Sequence, residues 1–326
     1  MAGWRSLLKT ATESDVRKSV KEPEVREALQ KIFSDRVEFD VPMSRYTSLR
    51  VGGPADALVF PKDREEIVGL LQFLSDHRIP YGVVGKGSNL IVRDGGIRGV
   101  VLDLSEGFSG MERDSSDPSL VIANAGESLP RLVHWASDQG LSGIESLIGI
   151  PGMVGGALMM NAGIRDGEIG DVVQSVEWME SNGEIRDVSK ESLRFEYRHF
   201  EIPKGAILLS AKLRLKKGDP IEIQERMKKC LEKRHEPKGF PSAGCIFKNP
   251  PNDFAGRLID QAGLKGVRIR GAQVSDVHAN YIVNVGSATA RDILSLIDLI
   301  RERIREEHGI SLELEVKVMG EASGKD

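Results

Sequence analysis

Two glycine-rich stretches contain the residues whose types and spacing could do chemistry. In YGVVGKGSNLIV, residues 81–92, Gly85 and Gly87 flank Lys86 in a loop nearly bare of side chains. Its backbone N–H groups can turn inward and approach a diphosphate, with Ser88 and Asn89 adding side-chain hydrogen bonds and Leu90 leading into the next strand. GIPGMVGGALMMNAG, residues 149–163, offers a second such surface through the clustered Gly149, Gly152, Gly155, Gly156 and Gly163, with Ile150, Pro151 and Asn161 as further cofactor candidates in it. Together they point to one long nucleotide cofactor, with tight turns around a sheet as the alternative. Neither stretch is a GxGxxG fingerprint closing a βαβ unit, and no GxxxxGK[ST] occurs, so an ordinary dinucleotide fold or P-loop is not supported.

The elements around these loops follow from periodicity. RYTSLRVGGPADALVF reads as a strand entering a turn at Gly52 and Gly53, with Thr47, Ser48 and Arg50 at its rim, followed by a small-residue strand. Asp63 and Glu66 open a helix whose Ile67, Leu70, Leu71 and Leu74 form one apolar stripe. IPYGVV, GVVLDLS and LVIANAG are strands, and a helix runs from Ser128 to Gly140 on Leu129, Leu132, Val133 and Ala136. A hairpin turns at Asn182–Gly183. KKGDP at 216–220 breaks both periodicities and places a domain boundary near Lys217. Beyond it, IEIQERMKKCLEKRH puts Ile223, Met227, Cys230 and Leu231 on one side, which makes Cys230 a core residue. A short helix over 253–263 and strands in GVRIRGAQV and NYIVNV come next. A long helix from Thr289 to Gly309 opens on a Thr289/Asp292 capping box, and LELEVKVMG closes as a strand. Residues 1–34 read as a peripheral helical arm carrying Val25, Leu29 and Ile32 on one face.

A chain of 326 residues suggests two or three domains. Its net charge of −4 gives no bulk attraction to nucleic acid. The first residues lack the apolar run of a signal peptide, and no segment is long enough to span a bilayer, so a cytoplasmic protein is expected. Two cysteines, Cys230 and Cys245, do not make a disulfide framework. Six scattered histidines without HxH or HExxH spacing predict no metal site.

RYTSLRVGG, VGKGSNLIV, GIPGMVGGALMMNAG, FEYRHF, PSAGCIFKNP and LELEVKVMG, in that order, resemble the UDP-N-acetylenolpyruvoylglucosamine reductases (UDP-N-acetylmuramate dehydrogenases) of bacterial cell-wall synthesis, over about residues 41–320. The resemblance implies an α+β protein: an FAD-binding fold of the vanillyl-alcohol-oxidase (PCMH) type with a C-terminal α/β substrate domain. With the boundary near Lys217, the domains are a helical arm at 1–34, an FAD-binding domain at 35–217 in two subdomains split near 103, and a substrate domain at 218–326. The short path from Asn161 to Arg198 resembles the compact variant of the family, without the extra tyrosine-bearing loop.

Such an enzyme passes a hydride from NADPH through FAD to the enolpyruvyl ether of UDP-N-acetylglucosamine, giving UDP-N-acetylmuramate. Electron density then moves into the carboxylate, and a proton must reach the adjacent carbon. The site therefore needs a cation or donor at the carboxylate and one acid. By resemblance Arg198, in FEYRHF, meets the carboxylate, although Phe200 stands where the family often has serine. Cys245 occupies the position of the family's proton-donating serine, and a thiol with an ordinary pKa of about 8.5 is a better acid than an alcohol. Periodicity puts Glu313 and Glu315 on one face without choosing between them; the family pattern selects Glu315. Lys248, Asn249, Gln273 and Asn280 match substrate contacts. The implied FAD is non-covalent, since GKGSN offers no histidine tether, NADPH is the co-substrate, and a monomer acting on a small UDP-sugar is expected. An oxidase on the same fold and a non-catalytic nucleotide-sugar binder are the rivals.

Overall fold

The structure, a computed structural model, describes residues 18–234 and 236–324. Its first layer is a four-stranded sheet in the order Val37–Pro42, Pro54–Val59, Ile97–Asp103, Tyr81–Val84. The last three strands run parallel and the first antiparallel. A parallel pair needs a crossover, here the helix Arg64–Asp76, which buries Ile67, Leu70, Leu71, Phe73 and Leu74 and is capped where the Asp63 side chain accepts from the Glu66 N–H. The second layer is a five-stranded antiparallel sheet, Ile185–Ser189, Val173–Met179, Ile207–Arg214, Leu120–Asn124, Met111–Arg113. Its edge hairpin turns through Gly183 at φ +84°. One core fills the space beside both layers, taking in Leu102, Ala123, Leu132, Val176 and Leu209.

The third layer is an antiparallel sheet, Ser242–Cys245, Tyr281–Asn284, Ala272–Val274, Arg268–Ile269, with its own core. The helix Ala290–His308 covers it, burying Ile293, Leu296, Ile297, Ile300 and Ile304, and both halves of the Thr289/Asp292 capping box form. Asp94, in the turn between Leu90–Val92 and Ile97–Asp103, accepts from the N–H groups of Ala290 and Arg291 and so ties this helix to the glycine-loop side of the molecule.

Three expectations change. The helix Pro23–Phe33 is no peripheral arm: Val25, Leu29 and Phe33 are buried in the first core, while residues 1–17 lie outside the described residues. LELEVKVMG is strand only at Lys317–Met319, which adds in parallel to Leu90–Val92 directly after the glycine loop. The helix Pro220–Glu232 sends Ile223, Met227 and Cys230 into the first core, and Leu231 stays exposed. An amphipathic stripe shows that a helix is packed but not which core it faces. We propose the domain boundary after this helix rather than before it.

Candidate active site

The two glycine stretches meet. A groove of about 270 Å³ lies between the first two layers, walled by Gly85 and Asp103 on one side and Ala125, Met153, Gly155 and Gly156 on the other. The Ser88 hydroxyl donates to the Pro151 carbonyl at 2.8 Å, fastening one loop to the other. A Cβ added to Gly156 would meet nothing within 4 Å, so this glycine opens directly onto the groove, whereas one on Gly155 would press on Ala125. Bare backbone on both walls of one long groove suits an extended nucleotide.

Other glycines serve packing. A Cβ on Gly87, at φ +59°, would strike the Tyr46 carbonyl, so the crossing Tyr46–Thr47 backbone by itself requires glycine here. Gly52 packs on Val92, Gly53 on Asp94, and Gly149 under Leu231 and Arg234. Gly152 faces the Ser88 hydroxyl. The Thr47 hydroxyl donates to Val51 O and accepts from Val51 N, Ser48 N donates to Gly87 O, and Arg50 is exposed at φ +55°. Lys86 and Pro151 are exposed, Leu90 is buried, and Ile150 packs against the first core. Asn161 is buried, and its amide donates to Glu168 and the Glu196 carbonyl while accepting from Gly170 N, so it braces the neighbouring hairpin.

That hairpin presents Arg198. Phe195–Glu196 pairs with His199–Phe200 across a two-residue turn, and the Phe195 and Phe200 rings stack at 4.1 Å. Arg198 occupies the left-handed region at φ +58°, a conformation that costs a non-glycine residue about 1 kcal/mol or more. Phe200, where serine was noted as the family's frequent choice, is fully buried and anchors the turn. The Arg198 Nε donates to Glu315 Oε1 at 2.9 Å, Nη2 to the Gly163 carbonyl at 3.0 Å, and Nη1 reaches Glu168 Oε1 at 3.5 Å. Glu315 is itself fixed from the glycine loop, since Asn89 Nδ2 donates to its carbonyl at 3.2 Å and Lys317 N donates to Asn89 O. Its neighbour Glu313 points outward with its side chain 77% exposed, against 18% for Glu315. Burial pushes the Glu315 carboxyl up, opposed by Arg198.

Cys245 ends its strand beside this pair. Burial and the Glu315 charge push its thiol up to about 12, with Glu236 adding to the rise and Arg198 and the Tyr281 phenol opposing it. A thiol so placed is protonated at neutral pH, with a cation at hand for the sulfur charge that remains once the proton leaves. Lys248 lies 3.6 Å from Glu313 and acts on Glu315. Asn249 caps the helix Ala255–Gln261 by accepting from Ala255 N, and the buried Asn280 clamps the Phe247 backbone from both sides, accepting from its N–H and donating to its carbonyl. Gln273 is one strand further from Cys245, bonded to Asp276 at 3.0 Å. Sequence reasoning missed Glu168, Tyr281, Glu236 and Arg234. Arg234 holds Glu236 at 2.5 Å, yet none of the four stands in a motif that single-sequence reading could use. Among the described residues no group of three or more His, Cys, Asp or Glu could hold a metal ion, and no helix is long and apolar enough to cross a membrane.

Residues 55–189 match the family described as FAD binding domain, and with the groove this defines an FAD-dependent oxidoreductase. Residues 236–319 match the family described as UDP-N-acetylenolpyruvoylglucosamine reductase, C-terminal domain. The UDP-N-acetylenolpyruvoylglucosamine reductase of Geotalea uraniireducens is 44% identical over 299 residues, spanning 91% of this chain and 98% of that protein. That of Clostridioides difficile is 42% identical over 293 residues, spanning 89% and 95%. The crystal structure of the reductase from Thermus caldophilus superposes with a TM-score of 0.75 at 41% identity, covering 86% of this chain and 97% of that one. The chain belongs to the UDP-N-acetylenolpyruvoylglucosamine reductase family.

Proposed function

We propose that this protein reduces the enolpyruvyl ether of UDP-N-acetylglucosamine to UDP-N-acetylmuramate at the expense of NADPH, supplying a peptidoglycan precursor. The observation that carries this reading is the meeting of Arg198, Glu315 and a protonated Cys245 beside loops suited to an extended nucleotide. The groove walls at Gly85, Gly155 and Gly156 would hold FAD, which when bound would supply the hydride for the terminal alkene carbon. Arg198 offers its guanidinium to the carboxylate as charge accumulates there, and Glu315 keeps that guanidinium in place. Cys245 then gives its proton to the carbon beside the carboxylate: the S–H bond breaks, its electron pair stays on sulfur, and the enolate pair forms the C–H bond.

The cofactor contacts are assigned to Thr47, Ser48, Arg50, Gly85, Lys86, Ser88, Gly152, Gly155 and Gly156, with the other cofactor candidates shaping the loops. Lys248, Asn249 and Gln273 contact the UDP-sugar. Asn280 is reassigned from substrate contact to holding the Phe247–Lys248 segment, because both ends of its amide are engaged by Phe247. The enzyme works as a cytoplasmic monomer without nucleic acid, consistent with a net charge of −4. Anaerobic rapid mixing tests the whole reading: NADPH should bleach the bound flavin, and the enolpyruvyl UDP-sugar should restore its colour. A flavin that NADPH reduces but that sugar cannot reoxidise would overturn it.

A further inference from the structure

Cys245 and Tyr281 are register partners on neighbouring antiparallel strands, so their side chains leave the sheet on the same face. A β-bulge between Ser242 and Cys245, with Gly244 at φ +74°, re-aims the thiol. The Tyr281 phenol acts on that thiol, opposing the rise that burial imposes on it. Its phenol is buried, and its ring is packed 5.1 Å from the His278 ring. The strand pair cannot slide, because Asn280, preceding Tyr281, is bonded to Phe247, two residues after Cys245.

We propose that Tyr281 is the positioning residue of the proton donor: its hydroxyl holds the Cys245 thiol in place and donates to the sulfur as the thiol proton leaves. The proposal rests on Cys245 being that donor. Besides Tyr281, the charged groups acting on Cys245 are Glu315, Arg198 and Glu236. Those acting on Tyr281 are Cys245, Glu236, Arg234 and Glu315, and burial with its anionic neighbours keeps the phenol protonated and able to donate. The phenol keeps its proton throughout. The S–H bond breaks, its pair stays on sulfur, and Tyr281 O–H and Arg198 share the resulting charge.

The test uses the FAD-loaded full chain and reads site-specific alkylation of Cys245 by iodoacetamide across alkaline pH, beside the rate of flavin reoxidation by substrate. Tyr281→Phe should slow both about tenfold, the scale of one lost hydrogen bond to a charged atom, with FAD content and KM unchanged. In a Cys245→Ala background the tyrosine substitution should add no further loss. Replacing the four tyrosines with 3-fluorotyrosine, a stronger donor of nearly the same size, should shift the alkylation midpoint downward, a readout independent of how well Tyr281→Phe folds. Unchanged alkylation and reoxidation in Tyr281→Phe would overturn the proposal. Altered alkylation with normal reoxidation in Cys245→Ala would instead overturn the donor reading beneath it.

Discussion

Glu315→Gln separates the two things this residue does. Burial is the largest influence on its carboxyl and raises it, against Arg198, Lys248 and Lys317. A carboxyl that titrates higher in the folded than in the unfolded chain holds its proton more tightly when folded. Its stability contribution is therefore full below the unfolded pKa and is lost as pH rises through the folded one. The fold thus favours the protonated carboxyl over the ionised one, and the neutral isostere in Glu315→Gln should melt at or above the wild-type Tm. Activity should move the other way. Arg198 would lose the carboxylate at 2.9 Å and keep the Gly163 carbonyl at 3.0 Å and Glu168 at 3.5 Å, so its guanidinium would drift from the carboxylate it serves. A charge-assisted hydrogen bond is worth about 1.5–3 kcal/mol, so flavin reoxidation should slow roughly 10- to 100-fold, while reduction by NADPH is unchanged. Glu313→Gln, on a side chain 77% exposed, should change the rate less than about twofold. Thermal melts at acidic and neutral pH and the two half-reactions by rapid mixing supply the readouts. A variant that melts well below wild type with reoxidation intact, or a loss that follows Glu313 instead, would refute the reasoning.

Gly156→Val places its Cβ in open groove clear of protein atoms, so the variant should fold and purify with at least tenfold less flavin per chain; normal flavin content would remove this wall from the cofactor site. Gly87→Val, by contrast, should chiefly impair folding, since its Cβ meets the Tyr46 backbone; a soluble, flavin-free variant of wild-type Tm would count against that. Cys245→Ser should keep much of the reoxidation rate and Cys245→Ala should lose about a hundred- to ten-thousand-fold, with flavin reduction unaffected in both; equal rates in the two variants would show that the proton comes from elsewhere. Asn280→Ala strips the buried Phe247 N–H and carbonyl of their partners and should cost about 3 kcal/mol, lowering Tm by roughly 5 °C; an unchanged melt would mean water takes over both bonds.

Short-range physics was readable along the chain. The Thr289/Asp292 box and its five buried aliphatics specify the helix Ala290–His308 because capping and the 3.6-residue period involve neighbours a few positions apart. Asn182–Gly183 specifies its hairpin for the same reason, and the two glycine stretches marked the groove walls. What failed were statements about partners. Val25, Leu29 and Phe33 make an amphipathic helix whether it lies at the periphery or in the core, and the stripe of Pro220–Glu232 is the same whichever body it covers. At Gly87 the sequence shows only a bare position; that the Tyr46 backbone crosses it is visible in the tertiary structure alone.

The sequence by itself therefore determined the kinds of elements and the family, and it singled out the candidate reacting groups, all of which reside in residue types and short spacings. Tertiary structure decided their assignment. Glu315 prevails over Glu313 because Arg198, 117 residues earlier, turns toward it from a strained hairpin tip. Cys245 keeps its proton because burial beside Glu315, 70 residues later, adds to the effect of the nearby Glu236. Asn280 holds the backbone because Phe247, just beyond the strand Ser242–Cys245, comes to rest against its amide. Burial and long-range ion pairing depend on where remote segments come to rest, and no local period carries that information.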